Sequence, residues 1–180
     1  MNIIFLDIDG VLNCQLFFES NMGKKALRKA VKAGDVDKGE YYASQLCTQR
    51  IGWLNELCKD CDAKVVISST WRMGKTVEQL QEILNNSGAT FTIIDKTPNL
   101  RGDGCLRGNE IYKWIYDNSK TLFGIPYYEY KSYVIIDDDS DMLLWQAPHF
   151  FKTDNYSGLT PNTCYKIKQF FTHKLFYPND

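Results

Sequence analysis

The sequence predicts an α/β protein with a five-stranded, mainly parallel sheet that is flanked by helices. Two observations predict this fold class. Short apolar runs alternate along the chain with longer amphipathic stretches, which is the order of strands and helices in α/β proteins. The runs are apolar at successive positions rather than at every second one, which indicates strands that are covered on both faces.

Five runs have the length and composition of buried strands. They are residues 3–6, 65–67, 91–94, 133–136 and 149–152. Reactive side chains follow three of them: Asp7 follows the first, Ser68 the second and Asp137 the fourth. Because ligands of open α/β sheets bind beyond the carboxyl ends of the strands, these positions mark the predicted functional site.

Helical periodicity fills the intervals between the runs. The predicted helices are residues 48–60, 76–84 and 109–116, and a last one that begins at Thr160-Pro161. Thr76 and Gln79 form the pattern of a capping box at the start of the second helix, and Gly88 suits its far end.

Length and composition exclude several classes of protein. The 180 residues fit one domain, residues 1–180. A hydrophobic content of 44% excludes a disordered chain, and 21 basic against 22 acidic side chains exclude a global basic field for nucleic acid or membranes. Every apolar run is far shorter than the roughly 18 residues of a membrane span, and no basic region precedes the first run as in a secretory signal. We therefore predict a cytoplasmic protein without membrane contact.

The six cysteines favour reduced thiols over disulfides, because a chain of this length builds an apolar core without covalent links. Cys58 and Cys61 have the spacing of half a zinc site, but a second pair at matching spacing is missing. Both cysteines fall on the apolar face of a predicted helix, so packing in the core is the favoured interpretation.

Acids at the strand ends indicate a cation site. Asp7 and Asp9 are separated by one residue, and Gly10 lets the chain turn sharply beside a ligand. Three more acids, residues 137–139, end the fourth run, and Asp141 follows. Clustered carboxylates repel one another, and a hard cation such as Mg²⁺ takes oxygen ligands while leaving room for phosphate oxygens.

Other side chains at the same edge suit a phosphate group. Ser68 offers a hydroxyl and a backbone N–H at a helix entrance, and Ser69 is a further candidate for substrate contact. Arg72 and Arg107 can supply positive charge. With the acids, these groups suit phosphoryl transfer to a carboxylate nucleophile.

Each pattern also has a purely structural interpretation. Paired acids after a strand are often turn residues, and a Ser-Ser-Thr run is often a helix N-cap. Residues 137–141 can be a solvated acidic start of a helix. Because all three patterns occur at strand ends of one predicted sheet, a functional site is favoured over coincidence.

Four stretches resemble the haloacid dehalogenase (HAD) superfamily of phosphohydrolases. They are residues 5–11, with Asp7-Ile8-Asp9-Gly10-Val11, residues 65–68, a basic residue near Arg107, and residues 134–138. The first stretch has a second Asp, Asp9, and in this it resembles the phosphatase branch rather than the dehalogenases, which lack that residue. Residues 68–72, residues 107–111 with Trp114, and the closing residues 153–154 and 158–160 resemble, more narrowly, the small HAD domains of RNA-repair proteins.

The resemblance implies a Rossmann-like HAD fold and a role for each matching residue. Asp7 would attack phosphorus and form an aspartyl-phosphate, and Asp9 would protonate the leaving oxygen and then activate water. Ser68 would hold a phosphoryl oxygen. Asp137 and Asp138 would hold Mg²⁺ together with Asp7 and the backbone carbonyl of Asp9.

Two positions depart from the family pattern or leave its register open. The third motif is usually a lysine, and this sequence offers Arg107 or, as the second choice, Arg101. Among the acids of residues 137–141, Asp137 and Asp138 are the favoured metal ligands, with Asp141 in support.

The interval between the first two motifs leaves room for a small insert in the cap position, at about residues 20–44, which predicts an open site. The insert carries five cations, which can be a solvated helix face or contacts to a phosphate backbone: Lys24, Lys25, Arg28, Lys29 and Lys32. Aromatic side chains can stack on bases or belong to the core: Phe17, Phe18, Tyr41, Tyr42, Tyr127, Tyr128 and Tyr130.

The sequence thus predicts a Mg²⁺-dependent phosphomonoesterase for nucleotides or nucleic-acid ends, with Lys25, Arg28 and Lys29 as substrate contacts. One alternative is a non-catalytic phosphate-binding or partner-binding module on the same fold. Another is a phosphatase for small metabolites or phosphoproteins.

Overall fold

The computed structural model describes residues 1–32, 38–100 and 105–173 of the chain. The strands are β1 (Asn2–Leu6), β2 (Ala63–Ile67), β3 (Ile93–Lys96), β4 (Tyr133–Asp137) and β5 (Phe150–Lys152). The helices are α1 (Gln15–Glu19), α2 (Asn21–Lys32), α3 (Lys38–Ser44), α4 (Thr48–Asp60), α5 (Val77–Asn85), α6 (Arg107–Phe123) and α7 (Pro161–His173). Two 3₁₀ turns, Thr70–Arg72 and Leu144–His149, complete the described elements.

The five strands form one sheet in the order β3-β2-β1-β4-β5, and every neighbouring pair is parallel. The predicted fold class is confirmed. In the central strand, Leu6 is in register with Ile67 of β2 and Ile136 of β4. The residues that follow these three therefore leave the sheet side by side at its carboxyl edge.

Alternate side chains of the strands feed two apolar clusters, one on each face. Ile4 and Leu6 pack in the larger cluster with α4, α5 and α7. Ile3 and Phe5 pack in the smaller one against α6, where the Phe5 ring meets the Trp114 ring edge-on. Burying each such side chain stabilises the fold by about 1.5–3 kcal/mol, which is why strands covered on both faces are apolar throughout.

Helix α4 and the capping box of α5 match the predictions, whereas α6 begins two residues earlier than predicted and runs on to Phe123. It begins at Arg107 because a carboxylate oxygen of Asp141 accepts the Arg107 N–H at 2.9 Å. It ends at Phe123, because the next residue, Gly124, has a φ of 70° and caps the helix. The last helix begins at Pro161, as the sequence predicts.

The bounds of two predicted strands need correction, and one structural alternative is excluded. The third strand is Ile93–Lys96 rather than residues 91–94. The side-chain amide of Gln81 donates to Phe91 O and accepts from the Ile93 N–H, in place of strand pairing at residue 91. The pairing with β2 also shifts register between Val65 and Val66. The fifth strand begins one residue late, at Phe150. The alternative interpretation of residues 137–141 as a solvated helix start does not hold, because Asp137 ends β4 and is 1% exposed.

The remaining expectations concern the insert, the thiols and membranes. Helices α2 and α3 occupy the segment of the predicted insert. All six cysteines are free thiols, and Cys58 and Cys61 pack in the larger apolar cluster, which confirms the core interpretation. Among the helices of the described ranges, none combines the length and apolar character that a membrane crossing needs.

Candidate active site

The predicted site lies at the carboxyl edge of the three central strands. Asp7, Ser68 and Asp137 sit at the ends of β1, β2 and β4. Backbone bonds fix their spacing, because the Asp7 N–H donates to Ile136 O and the Ser68 N–H to Leu6 O, each at 2.9 Å. These side chains are neighbours because their strands are parallel and in register.

Three carboxylates converge there. Asp7, Asp137 and Asp138 each place a carboxylate oxygen within 4.8 Å of the others, and Asp7 and Asp137 are buried. Burial raises the pKa of Asp7 to about 6, and burial together with the charge of Asp7 raises the pKa of Asp137 to about 7. A cation among them would favour the charged forms. An all-oxygen donor set of this kind fits a hard divalent ion such as Mg²⁺.

Gly10 lets the turn after β1 approach Asp138 closely. Its φ is 68°, and a Cβ atom built there would lie 2.3 Å from the carboxylate carbon of Asp138. The Thr153 hydroxyl donates to Gly10 O at 2.9 Å, while the Thr153 N–H donates to Asp137 O. A side chain at residue 10 would therefore displace one of the three clustered carboxylates.

Arg107 joins Asp7, the candidate nucleophile, to Asp137 at the end of β4. Its guanidinium donates to Asp7 Oδ1 at 2.7 Å and to Ser68 O at 2.5 Å. Its Nε atom lies 3.2 Å from Asp137 Oδ2, an ion pair without the alignment of a hydrogen bond. Arg107, the first choice for the third motif, thus contacts both Asp7 and Asp137, whereas Arg101, the second choice, lies outside the described residues.

The two serines have different environments. The Ser68 hydroxyl is buried and has no hydrogen-bond partner among the described residues. Buried polar groups normally have a partner, so this hydroxyl suits a phosphoryl oxygen. The Ser69 side chain caps the 3₁₀ turn by accepting from the Trp71 N–H at 3.4 Å, as the N-cap interpretation predicts. It also favours ionised Asp7, partly opposing the effect of burial on that pKa.

Arg72 does not fit the expectation that it binds substrate. Its guanidinium is 2% exposed and lies 2.5 Å from the Glu110 carboxylate, which is completely buried. Its remaining N–H groups donate to the backbone carbonyls of Ser68, Ser69, Thr97 and Pro98. These bonds occupy the donors of the guanidinium. Arg72 therefore fixes the segment after β2 instead of reaching towards a ligand.

Asp9 lies in the turn after β1, next to Gly10, and is exposed. Its carboxylate accepts from Asn13 Nδ2 at 2.7 Å and from the Trp71 indole at 3.0 and 3.1 Å. The buried Asp7 and the exposed Asp9 thus have different environments, as a nucleophile and an acid/base require.

Most of the chain matches the model of a known protein family. The model of the family described as "HAD domain in Swiss Army Knife RNA repair proteins" matches residues 3–164. The chain belongs to this family. The matched range of this HAD domain includes Asp7, Ser68 and Asp137 at the strand ends. Membership of the family supports a phosphohydrolase-type function. Neither a curated protein nor a solved structure matches the chain significantly.

The basic stretch of the HAD domain lies on α2, outside the carboxylate cluster. Lys24, Lys25, Arg28 and Lys29 are exposed and line a groove of about 450 Å³. None of the four forms an ion pair with a described residue. The side chain of Lys32 lies outside the described part. These cations are available to an anionic ligand.

The aromatic candidates separate into three environments. Phe17 is buried beside Cys14 and Cys47, so it belongs to the core, and Phe18 lies next to it at the surface. Tyr42 contacts Trp71 near the site, with Tyr41 beside it. The other three line a separate groove beside α6, whose lining contains no predicted catalytic residue: Tyr127, Tyr128 and Tyr130.

Proposed function

We propose that this HAD domain is a Mg²⁺-dependent phosphomonoesterase that works through an aspartyl-phosphate on Asp7. The observation that carries the proposal is the cluster of Asp7, Asp137 and Asp138 at the strand ends, with Arg107 held against two of them. The bound Mg²⁺ would neutralise charge between the carboxylates and the phosphoryl oxygens. Asp7, Asp137, Asp138 and the carbonyl of Asp9 would hold it.

Each side chain of the site has its own role in the proposed two-step reaction. A carboxylate oxygen of Asp7 bonds to phosphorus while the bond from phosphorus to the leaving oxygen breaks, and Asp9 gives that oxygen its proton. The Ser68 hydroxyl holds a phosphoryl oxygen, and Arg107 orients Asp7. In the second step Asp9 takes a proton from water, whose oxygen displaces Asp7 from phosphorus and restores the free carboxylate.

Metal removal tests the cation site. We expect the protein in excess chelator to be inactive towards an aryl phosphate and Mg²⁺ to restore the rate. Ca²⁺ should bind and support little turnover, because its looser coordination misplaces nucleophile and phosphate. Asp138→Asn should raise the Mg²⁺ concentration needed for half-maximal activity, whereas Asp139→Asn should not, since Asp139 is exposed and outside the cluster. Full activity in chelator, or a requirement for copurifying zinc, would contradict the site.

The proposed substrate class is a nucleic-acid end, or a nucleotide. Three features support it: the family's association with RNA repair, the small insert in the cap position, and the exposed cations of α2. A phosphatase for small metabolites or phosphoproteins has no comparable support from the described residues. A non-catalytic binding module would bind phosphate without turnover, so hydrolysis of an aryl phosphate with Mg²⁺ separates it from the enzyme.

Charge removal on α2 tests the nucleic-acid end. The Lys25→Ala, Arg28→Ala and Lys29→Ala triple variant should bind a phosphorylated single-stranded oligonucleotide more weakly, with a higher KM. Its log–log salt slope should fall by about 0.7 for each lost phosphate contact. The kcat for an aryl phosphate should stay the same, because the chemistry uses other residues.

A matched control separates local contacts from net charge. Lys59, Lys120 and Lys166 are exposed outside α2, and their replacement by Ala removes the same charge. This control should keep the slope and KM of the unmodified protein. If the α2 variant behaves like the control, the basic stretch is a solvated helix face and the oligonucleotide assignment loses its support.

We also propose that the protein works in a reducing compartment such as the cytoplasm. All six cysteines are free thiols, and Cys14, Cys47, Cys58 and Cys61 are buried. Disulfides persist in oxidising compartments and are rare in the cytosol, so this thiol content suits a cytoplasmic protein.

A further inference from the structure

Two side-chain donors hold the carboxylate of Asp9, one from a neighbouring residue and one from a distant part of the chain. The indole Nε1 of Trp71 lies 3.0 Å from Oδ2 and 3.1 Å from Oδ1, and Asn13 Nδ2 lies 2.7 Å from Oδ1. Asn13 also accepts from the Gly10 N–H, so it is part of the same turn as Asp9. Trp71 comes from a different strand end and is 7% exposed. An exposed carboxylate is thereby tied to a buried ring.

The insert supports Trp71 in turn. The ring of Tyr42, on α3, lies 4.9 Å from the ring of Trp71. The ammonium group of Lys75 lies 4.0 Å above the Tyr42 ring and donates to Trp71 O at 3.2 Å. A continuous set of contacts therefore runs from the insert through Tyr42 and Trp71 to Asp9.

We propose that Trp71 is the positioning residue of the acid/base Asp9, and that the insert holds Trp71 in place through Tyr42. The inference rests on the proposed phosphomonoesterase function. Protonation of the leaving oxygen requires the Asp9 carboxyl within hydrogen-bond reach of that oxygen, and the indole N–H restricts the rotamers that Asp9 can adopt. The insert thus helps to position the acid/base through Tyr42 and Trp71, in addition to any contact that it makes with substrate.

Leaving groups of different basicity test this role. An alkyl phosphate needs a proton on its leaving oxygen, whereas dinitrophenyl phosphate does not, since its leaving phenolate is weakly basic. The ratio of kcat/KM for the two substrates isolates this proton transfer, because kcat/KM covers only the steps through release of the alcohol. In Trp71→Phe, which keeps a ring and loses the N–H, we expect this alkyl-to-aryl ratio to fall about tenfold, within the range of general acid catalysis.

Matched variants separate positioning from a general structural effect. Trp114 has another buried indole N–H, which donates to a carboxylate oxygen of Asp95 at 2.6 Å. This bond lies outside the carboxylate cluster, so Trp114→Phe should keep the wild-type ratio. Tyr42→Ala should lower the ratio in the same direction, whereas Tyr42→Phe, which keeps the ring, should not. An equal loss on both substrates in Trp71→Phe would overturn the inference.

A spectroscopic readout tests the contact without turnover. The chain has four tryptophans, so the indole N–H signals are few, and the one missing in Trp71→Phe identifies Trp71. This signal should shift in Asp9→Asn, because a charged acceptor is replaced by a neutral one. A signal that does not move would overturn the inference even in an active enzyme. A wild-type protein that hydrolyses neither substrate would overturn the proposed function, and this inference with it, whatever the signal does.

Discussion

The Asp7→Asn protein is expected to fold and to release no phosphate. Asparagine has the shape of aspartate but no nucleophilic carboxylate, so the loss should exceed the roughly 10²–10⁴-fold that follows from removing an acid/base. Folding should survive because burial raises the pKa of Asp7 to about 6, above its ordinary value. The ionised side chain therefore lowers stability at pH 7, and asparagine removes that charge.

Two measurements check this expectation together. Phosphate release from an aryl phosphate should be at background, while the free energy of unfolding in urea should be no lower than that of the wild-type protein. Asp139→Asn is the control, since it changes an exposed acid near the cluster and should keep its rate. A folded Asp7→Asn protein with a near-normal rate would remove the mechanism.

The largest loss of stability is expected from breaking the pair of Arg72 and Glu110. Both side chains are buried, and Glu110 also accepts from the Leu100 N–H at 3.0 Å. Glu110→Ala leaves the guanidinium charge in the interior without its carboxylate, which costs about 3–5 kcal/mol of the free energy of unfolding. Urea denaturation measures this loss directly.

The control for this pair lies on the same helix. Lys113 and Asp117 form an exposed ion pair one turn apart on α6, and such pairs contribute about 0.3–0.5 kcal/mol. Asp117→Ala should therefore change the unfolding midpoint slightly. If Glu110→Ala costs no more than Asp117→Ala, the buried pair does not hold the segment after β2.

The strand ends could be predicted from sequence because their signals are local. Each of the three central strands is a short apolar run with a polar residue directly after it, and parallel pairing brings those residues together without further information. Asp7, Ser68 and Asp137 are therefore where the pattern places them. The capping box at Thr76 and Gln79 is likewise complete within four residues of sequence.

The rest depends on contacts between distant parts of the chain. Arg72 has the residue type of a phosphate ligand, and only the position of Glu110, 38 residues away, shows that its charge is already paired. The start of α6 depends on Asp141, 34 residues from Arg107. Trp71 and Asp9 are 62 residues apart. Local periodicity contains no information about such pairs, although Trp71 and Glu110 both lie within stretches that resemble the RNA-repair domains.

The central claim is that the phosphoryl group is transferred to Asp7 before it reaches water. Mass spectrometry of the protein's peptides after an acid quench tests this claim most directly. The Asp9→Asn protein should be mixed with dinitrophenyl phosphate and Mg²⁺, because this leaving group needs no proton and the missing base slows hydrolysis of the intermediate. We predict one added phosphoryl group on the peptide that contains Asp7, and none when Asp7→Asn is combined with the first substitution. Phosphate release from the wild-type protein without any phosphorylated Asp7, or a phosphoryl group on another side chain, would contradict the account.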